Sequence, residues 1–174
     1  MLPIFMLMVG APGCGKSMLA EQLKDEFGFI VVSSDAIREE LYGDAAIQAD
    51  NARVFSIAHE QARTALDYGY SVVFDATSAW AWSRQKALDA ISGIPCLKVC
   101  VRFDTPLSEC LANNHKRDRV VPPDIVQKIY NSAKRNEPST DEGFDVVVAP
   151  EYVRKTIQTH YGKDGKDIPN AETV

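Results

Sequence analysis

The feature that most constrains this chain is a glycine-rich turn at residues 10–17, with the sequence GAPGCGKS. It follows a short apolar run at residues 4–9 and precedes a segment whose leucines recur with the helical period. The turn satisfies the pattern G-x-x-x-x-G-K-[ST] between a strand and a helix, the context in which the pattern is informative. Its glycines let the backbone curl around an anion, and the following helix adds its positive end. The sequence therefore predicts a phosphate-binding turn on a scaffold of strands and helices.

The turn predicts how a nucleoside triphosphate, with ATP as the expected nucleotide, is held. Lys16 is expected to reach the β- and γ-phosphates, and Ser17 is expected to offer its hydroxyl to Mg²⁺. A turn without a ligand would not require Lys followed by Ser at this spacing. No catalytic role is expected for the thiol within the turn, because phosphoryl transfer needs none. The residues expected to surround the phosphates are Gly10, Gly13, Cys14, Gly15, Lys16 and Ser17.

The remaining chain alternates short apolar runs with helix-period segments, which predicts an α/β fold with a parallel sheet flanked by helices. The length of 174 residues and the hydrophobic share of 45% suit a single domain. We assign residues 1–150 to this domain, with a helical lid at about 105–135, and residues 151–174 to a polar C-terminal extension that could contact a second subunit. The five expected strands are 4–9, 29–33, 71–74, 97–103 and 144–149.

The charge balance restricts the partners of the chain. The sequence has 19 Lys and Arg against 24 Asp and Glu, a net charge of -5, so the molecule as a whole does not attract nucleic acid or anionic lipid. A polyanion would have to meet a local basic patch. The apolar start lacks a basic leader, so a cytoplasmic protein without a membrane partner is expected. The four cysteines have neither zinc nor disulfide spacing.

Two carboxylates follow strands and are candidates for chemistry, because ligands of open α/β sheets lie beyond the carboxyl ends of the strands. Asp35 follows the second strand and is either a base that accepts the proton of an attacking hydroxyl or, with Ser34, a helix cap. Asp75 follows the third strand and is expected to hold Mg²⁺ or its waters, with a helix cap as the alternative. Thr77 could bind acceptor or phosphate, or could cap the next helix.

Two arginines are candidates for holding charge. Arg38 lies one helical turn after Asp35 and could grip an anionic acceptor, unless it is a solvated surface residue. Arg117 lies in the basic run 116–119, just before a proline-led helix. Such a run is usually solvated, but a phosphoryl-transfer enzyme needs cations near the transferred group. We therefore favour Arg117 as a lid arginine.

The ordered motifs resemble the kinase domain of polynucleotide 5′-hydroxyl kinases, the phage type especially, and related small P-loop kinases such as those acting on seryl-tRNA. The matching features are the turn at 10–17, Ser-Asp-x-x-Arg at 34–38, Asp-Ala-Thr at 75–77 and the segment 115–130. The resemblance implies the P-loop NTPase fold with strand order 2-3-1-4-5. It also implies ATP and Mg²⁺ at Lys16 and Ser17 and a nucleic acid 5′ end as acceptor.

The resemblance further assigns individual roles. It implies that Asp35 is the general base, that Arg38 contacts the phosphate next to the acceptor nucleoside and that Arg117 is the lid arginine. The chain departs from the family in two places. Asn113 or Asn114 stands where a second lid arginine is often found, and Ser78 stands where Asn is common.

Two other functions stay open. The first is a kinase of a small hydroxylated metabolite or antibiotic, which the acidic net charge favours and a screen of acceptors would separate. The second is a nucleotide-binding or ATPase module that is not a kinase, whose hydrolysis would be indifferent to any hydroxyl acceptor. Against it, the chain is short for a ring-forming ATPase and lacks the Asn-Lys-x-Asp sequence of GTPases.

Overall fold

A computed structural model describes residues 1–162. Its centre is one five-stranded sheet whose paired strands all run parallel. The spatial order β2-β3-β1-β4-β5 confirms both the predicted fold class and the expected strand order. The strands are β1 (Ile4–Val9), β2 (Ile30–Ser33), β3 (Val72–Asp75), β4 (Leu97–Arg102) and β5 (Val146–Val148). The helices are α1 (Lys16–Phe27), α2 (Ser34–Tyr42), α3 (Asn51–Asp67), α4 (Ala81–Ala90), α5 (Leu107–His115), α6 (Pro123–Arg135) and α7 (Val153–Tyr161).

The central strand β1 is buried at all six positions, as its uninterrupted apolar sequence predicts for a strand covered on both faces. Its residues alternate between two cores. Phe5, Leu7 and Val9 face α3 and α4, whereas Met6 and Met8 face α1 and α7. The strand therefore delivers the glycine-rich turn to the middle of the carboxyl edge of the sheet.

The register of β2 against β3 brings the two candidate carboxylates to one place. Ser33, the last residue of β2, pairs with Asp75, the last residue of β3. Asp35 lies two residues beyond Ser33, at the start of α2. Because neighbouring parallel strands end at one edge, residues that are 40 positions apart in sequence meet there.

Local sequence signals set the helix boundaries. Gly28 ends α1 in the left-handed conformation at φ 68°, which glycine adopts without steric cost. Pro123 occupies the first turn of α6, where a missing N–H costs nothing. Both were predicted. The apolar face predicted for α3 is also buried, through Val54, Ala58, Ala62 and Leu66.

The lid consists of α5, the loop 116–122 and α6, and it packs directly on the glycine-rich turn. A small apolar cluster joins Ala11 and Cys14 of the turn to Cys110 of α5 and Val126 of α6. The buried Asn114 then fixes the loop, since its amide donates to the Val121 carbonyl at 2.8 Å and accepts from the Val121 N–H at 3.1 Å. The lid loop is thus held at both ends.

The last helix belongs to the packed domain, although it lies in the segment expected to be a polar extension. Val153, Ile157 and Tyr161 are buried against the β1 and β4 face of the core. The Tyr161 hydroxyl lies 2.6 Å from Ser71 Oγ, and Arg154 pairs with Glu26 of α1 at 2.7 Å. The rest of the predicted extension, residues 163–174, lies outside the described residues.

The last strand is shorter than the sequence predicts. Strand β5 spans three residues where six were expected, because Phe144 turns into the core before it and a helical turn, Pro150–Tyr152, follows.

Within residues 1–162, none of the helices has the length and apolar character needed to cross a membrane.

Candidate active site

The phosphate-binding turn is shaped by two glycines with positive φ. Gly13 has φ 83° and Gly15 has φ 107°, conformations that other residues rarely adopt. A Cβ atom on Gly13 would also overlap the Cys110 carbonyl oxygen of α5. Gly13 is therefore required twice, once by its backbone and once by the close approach of the lid helix.

Lys16 holds its ammonium group in the hollow of the turn. Its Nζ donates to the carbonyl oxygens of Gly10 at 2.8 Å and Ala11 at 2.9 Å, and Cys14 Sγ lies at 3.6 Å. The side chain is only 8% exposed and contacts neutral acceptors rather than a carboxylate. Within residues 1–162 no carboxylate forms a direct ion pair with this ammonium group, so it is available to a phosphate.

Ser17 and Asp75 form the second element of the site. Ser17 Oγ donates to Asp75 Oδ2 at 2.8 Å. Burial raises the pKa of the Asp75 carboxyl, against the opposing effects of the Lys16 charge and the Ser17 hydrogen bond. A hydroxyl and a buried carboxylate side by side are hard oxygen donors, and Mg²⁺ prefers such ligands together with water and phosphate oxygens. The two side chains therefore fit a magnesium ion carried by a nucleotide.

Asp35 is free for a role other than capping. The cap of α2 is Ser33, whose hydroxyl accepts from the Ala36 N–H at 3.3 Å. Asp35 is the second residue of that helix, and its carboxylate is 40% exposed at the edge of the cleft. The capping role that the sequence left open for Ser34 or Asp35 is thus taken by their neighbour.

Arg38 is a buried arginine, not a solvated one. It is 6% exposed, with Nη1 3.0 Å from Asp35 Oδ1 and Nη2 2.9 Å from Asn51 Oδ1. Its guanidinium carbon also lies 6.0 Å from the centre of the Phe55 ring. The buried Nε–H has no hydrogen-bond acceptor within the described residues. Burial lowers the pKa of Arg38, which Asp35 partly offsets, so an anion in contact with it would be favoured.

The lid supplies two further arginines to the same carboxylate. Arg119 Nη1 lies 2.6 Å from Asp35 Oδ1, and Arg117 Nη2 lies 3.8 Å from Asp35 Oδ2. Together with Arg38, three guanidinium groups surround one carboxylate. This leaves an excess of positive charge at the cleft, the local basic patch that an acidic chain needs to bind a polyanion.

The glycine-rich turn, the start of α2, the end of β3 and the lid loop line a cleft of about 750 Å³. It brings together most of the residues that the sequence singled out: Gly13, Gly15, Lys16, Ser17, Asp35, Arg38, Asp75, Thr77 and Arg117. Gly10 and Cys14 instead line a small hollow on the other side of the turn, beside Phe103 and Lys134. Thr77 also accepts the Gly10 N–H through its carbonyl at 3.3 Å, so it anchors the start of the turn.

Sequence reasoning did not assign a site role to four residues at the cleft. Asn51 and Phe55 position Arg38, and no local signal in α3 indicates this. Arg119 lies closer to Asp35 than Arg117 does, although both belong to the same basic run. Asn113 donates to the Gly13 carbonyl at 3.1 Å and so joins the lid to the turn.

Ser78, where Asn is common in the family, lies at a position with a left-handed backbone. Ser78 has φ 45°, in the left-handed region where Asn is several-fold enriched. It is buried, and its carbonyl accepts from Arg84 Nη1 at 3.1 Å. Arg84 in turn binds Glu142 through two hydrogen bonds of 2.6 Å. Ser78 thus has a structural role behind the cleft.

The sequence of this chain matches a known protein family. A family model described as "AAA domain" matches residues 5–138. The chain matches no curated protein by sequence.

Solved structures share the fold at low identity. A chain of the Pnkp1/Rnl/Hen1 RNA repair complex aligns with a TM-score of 0.69 and 22% identity, over 83% of this chain and 47% of that one. A sugar kinase from Janibacter aligns with a TM-score of 0.62 and 20% identity, over 98% of each chain. The APS kinase CysC of Mycobacterium tuberculosis, solved with AMPPNP and APS, aligns with a TM-score of 0.62 and 21% identity, over 92% of this chain and 99% of that one. This chain therefore has the P-loop kinase fold, and it spans about half the length of the RNA repair chain.

Proposed function

We propose that this chain, which belongs to the AAA domain family, is an ATP-dependent kinase that transfers the γ-phosphate to the 5′-hydroxyl of a polynucleotide. The proposal rests on one observation above the others. Asp35 and Arg38 lie together at the cleft, with Arg38 buried and its Nε–H unused in the described part of the chain.

This pair fits an acceptor that carries both a hydroxyl and a phosphate. A buried donor without an acceptor is costly, and Arg38 lines the cleft, so a phosphodiester that pairs with its guanidinium would offset that cost after a small shift of the side chain. An acceptor held there would have its terminal hydroxyl beside the Asp35 carboxylate. A plain alcohol would leave the guanidinium as it is now.

Asp35 then acts as the general base. Its carboxylate accepts the hydroxyl proton while the acceptor oxygen bonds to the γ-phosphorus, and the bond from that phosphorus to the β–γ bridging oxygen breaks to release ADP. Lys16 and Arg117 stabilise the charge on the transferred group and the leaving oxygen. Ser17 and Asp75 would hold Mg²⁺, which neutralises phosphate charge when bound.

The ion pairs of the cleft fit the same scheme. Arg117 and Arg119 lie against Asp35. A bound triphosphate offers more negative charge than one carboxylate, so it would draw the lid arginines towards the turn. Asp35 would then be released to meet the acceptor. The lid loop supplies both cations, so this exchange needs no other segment to move.

A kinase of a small hydroxylated metabolite or antibiotic is the second candidate. The alignments with the APS kinase and the sugar kinase, which span nearly the whole of each of those chains, support it. The net charge of -5 also favours it. The two candidates differ in what Arg38 binds.

The test compares two acceptors. Arg38→Ala should raise KM about 10-fold or more for an oligonucleotide with a phosphodiester next to its 5′ nucleoside, and should change KM little for a plain nucleoside. Asp35→Asn, which keeps the side-chain shape, should lower kcat by roughly 10² on both acceptors while ATP affinity stays near normal. Glu40→Gln, exposed on the same helix, is the control and should behave as the parent.

Each outcome decides between the candidates. Equal effects of Arg38→Ala on the two acceptors would remove the preference for nucleic acid. A fully active Asp35→Asn variant would exclude the carboxylate as base. ATP hydrolysis that no acceptor changes would favour a non-kinase ATPase module.

A further inference from the structure

Two tryptophans lie together at the start of α4 without a role in the site described above. The Trp80 and Trp82 rings are stacked, with centres 6.3 Å apart and planes 26° from parallel. Trp82 is 60% exposed, and Lys86 Nζ lies over its ring at 5.2 Å from the centre. The pair offers an exposed aromatic surface next to a cation, on the helix that follows the carboxyl end of β3.

A row of aromatic and cationic side chains connects this pair to the cleft. Phe55 lies under Arg38 at 6.0 Å, and the centre of the next ring, His59, is 6.2 Å from that of Phe55. In the second half of the row, Lys86 of α4 lies over the Trp82 ring. We call this row the aromatic track: Arg38, Phe55, His59, Lys86, Trp82 and Trp80. Because α3 packs against α4, the two halves of the track are adjacent.

His59 contributes a partly buried ring to the track. It stacks on Phe74 of β3 with ring centres 5.6 Å apart and planes 20° from parallel. Burial lowers its pKa, and the Lys86 charge lowers it further. The ring is thus held against the sheet.

We propose that the aromatic track binds the acceptor strand beyond its first phosphate, with unpaired bases stacked on Trp82 and Trp80 and the backbone beside Lys86. This inference rests on the proposed function and makes it narrower, since it specifies a single-stranded polynucleotide of several nucleotides. Alternation of aromatic rings with cations is the pattern by which proteins hold single strands without reading their sequence. Bases inside a duplex are stacked on each other and would not present their faces to Trp82.

The local charge favours a single-stranded polynucleotide over a second copy of the chain as the ligand of the aromatic track. The molecule carries a net charge of -5, yet the track has a cation at each half, Arg38 and Lys86. A polyanion is attracted by that arrangement, whereas another acidic copy gains less from it. Self-association through Trp82 is therefore the competing outcome that the experiment must detect.

The composition of the chain makes the test direct. Trp80 and Trp82 are its only two tryptophans, so intrinsic tryptophan fluorescence reports on this surface alone. The full chain should show a fluorescence change on titration with a 5′-hydroxyl oligonucleotide of about eight nucleotides, within the span of typical single-strand sites. A dinucleotide, which reaches Arg38 but not α4, should give little change.

Variants separate the track from the catalytic site. Trp82→Ala should weaken binding of the octamer on the order of 10-fold, as loss of one stacked base implies, and should leave KM for the dinucleotide unchanged. Trp82→Phe retains a ring and should keep most of the affinity. Tyr68→Ala, at a residue 77% exposed just beyond the other end of α3, is the control for loss of a surface aromatic group.

Equal octamer affinity of Trp82→Ala and the parent would overturn the inference. So would a dimer in sedimentation that Trp82→Ala dissociates, because the surface would then be a contact between copies. Failure of the proposed function looks different: no 5′-hydroxyl acceptor, including the dinucleotide, would be phosphorylated. If the dinucleotide is phosphorylated but affinity does not increase with strand length, the function stands and the track is excluded.

Discussion

The two walls of the cleft are built in different ways. The phosphate wall is a continuous stretch, residues 10–17, shaped by glycine conformations and backbone carbonyls, with Asp75 beside it. The acceptor wall combines side chains from α2, α3 and the lid loop. A wall made of backbone can hold the same group in many proteins, whereas a wall of side chains can change its ligand by a few substitutions. If the proposed function holds, acceptor specificity lies on the second wall.

The walls also differ in how their cations are balanced. On the phosphate wall, Lys16 is bonded to carbonyl groups and is buried. On the acceptor wall, Arg38, Arg117 and Arg119 converge on the half-exposed Asp35. Salt screens exposed pairs more than buried ones, so ionic strength should change acceptor binding more than binding of the triphosphate to the turn.

The largest effect should come from the phosphate wall. Lys16→Ala removes the one cation inside the turn and should lower kcat by about 10² or more, since single preorganised groups contribute this much to transition states. Single-turnover transfer from labelled ATP measures it. Lys24→Ala, an exposed lysine on the same helix, is the control and should leave the rate unchanged. A Lys16→Ala variant with near-parent turnover would contradict the assigned phosphate site.

A smaller effect should distinguish the two lid arginines. Arg117→Ala should lower kcat about 10-fold or more with little change in KM for the acceptor, because a lid cation acts mainly on the transition state. Arg119→Ala should lower kcat less, since this residue lies closer to Asp35 than Arg117 does and pairs directly with that carboxylate. Steady-state kinetics of both variants decide the order. A greater loss for Arg119→Ala would transfer the lid role to that residue.

The smallest effect should be a change in the Tm of the protein when Asp75 of the phosphate wall is replaced. Burial raises the pKa of Asp75, so its ionised form is less favourable in the folded state than in the unfolded one. That destabilisation is fully present above the raised pKa and disappears below the ordinary carboxyl range. Asp75→Asn, which can still accept from Ser17, should therefore raise the Tm of the unliganded protein at neutral pH, and the gain should vanish in acid.

Thermal unfolding across pH measures this difference. Asp67→Asn, an exposed position at the end of α3, is the matched control and should show no such pH dependence. A Tm of Asp75→Asn below that of the parent at neutral pH would mean that the ionised carboxylate stabilises the fold. The phosphate wall would then gain stability from its charge.

The sequence by itself determined the fold and the phosphate wall. Apolar strands alternating with helix-period segments specify a parallel sheet, and the motif at residues 10–17 needs only local backbone freedom and one lysine. The helix ends at Gly28 and Pro123 follow from the conformational limits of those two residues. Such signals can be read from sequence because each acts over a few neighbouring positions.

Only the tertiary structure decided how the acceptor wall is assembled. The sequence named Asp35 and Arg38, but not the burial of Arg38 by Asn51 and Phe55, which lie 13 and 17 positions further on. It likewise did not show that Arg119 reaches Asp35. The physical reason is that these contacts depend on how α2, α3 and the lid loop pack against one sheet edge, and packing between distant segments leaves no periodic signal along the chain.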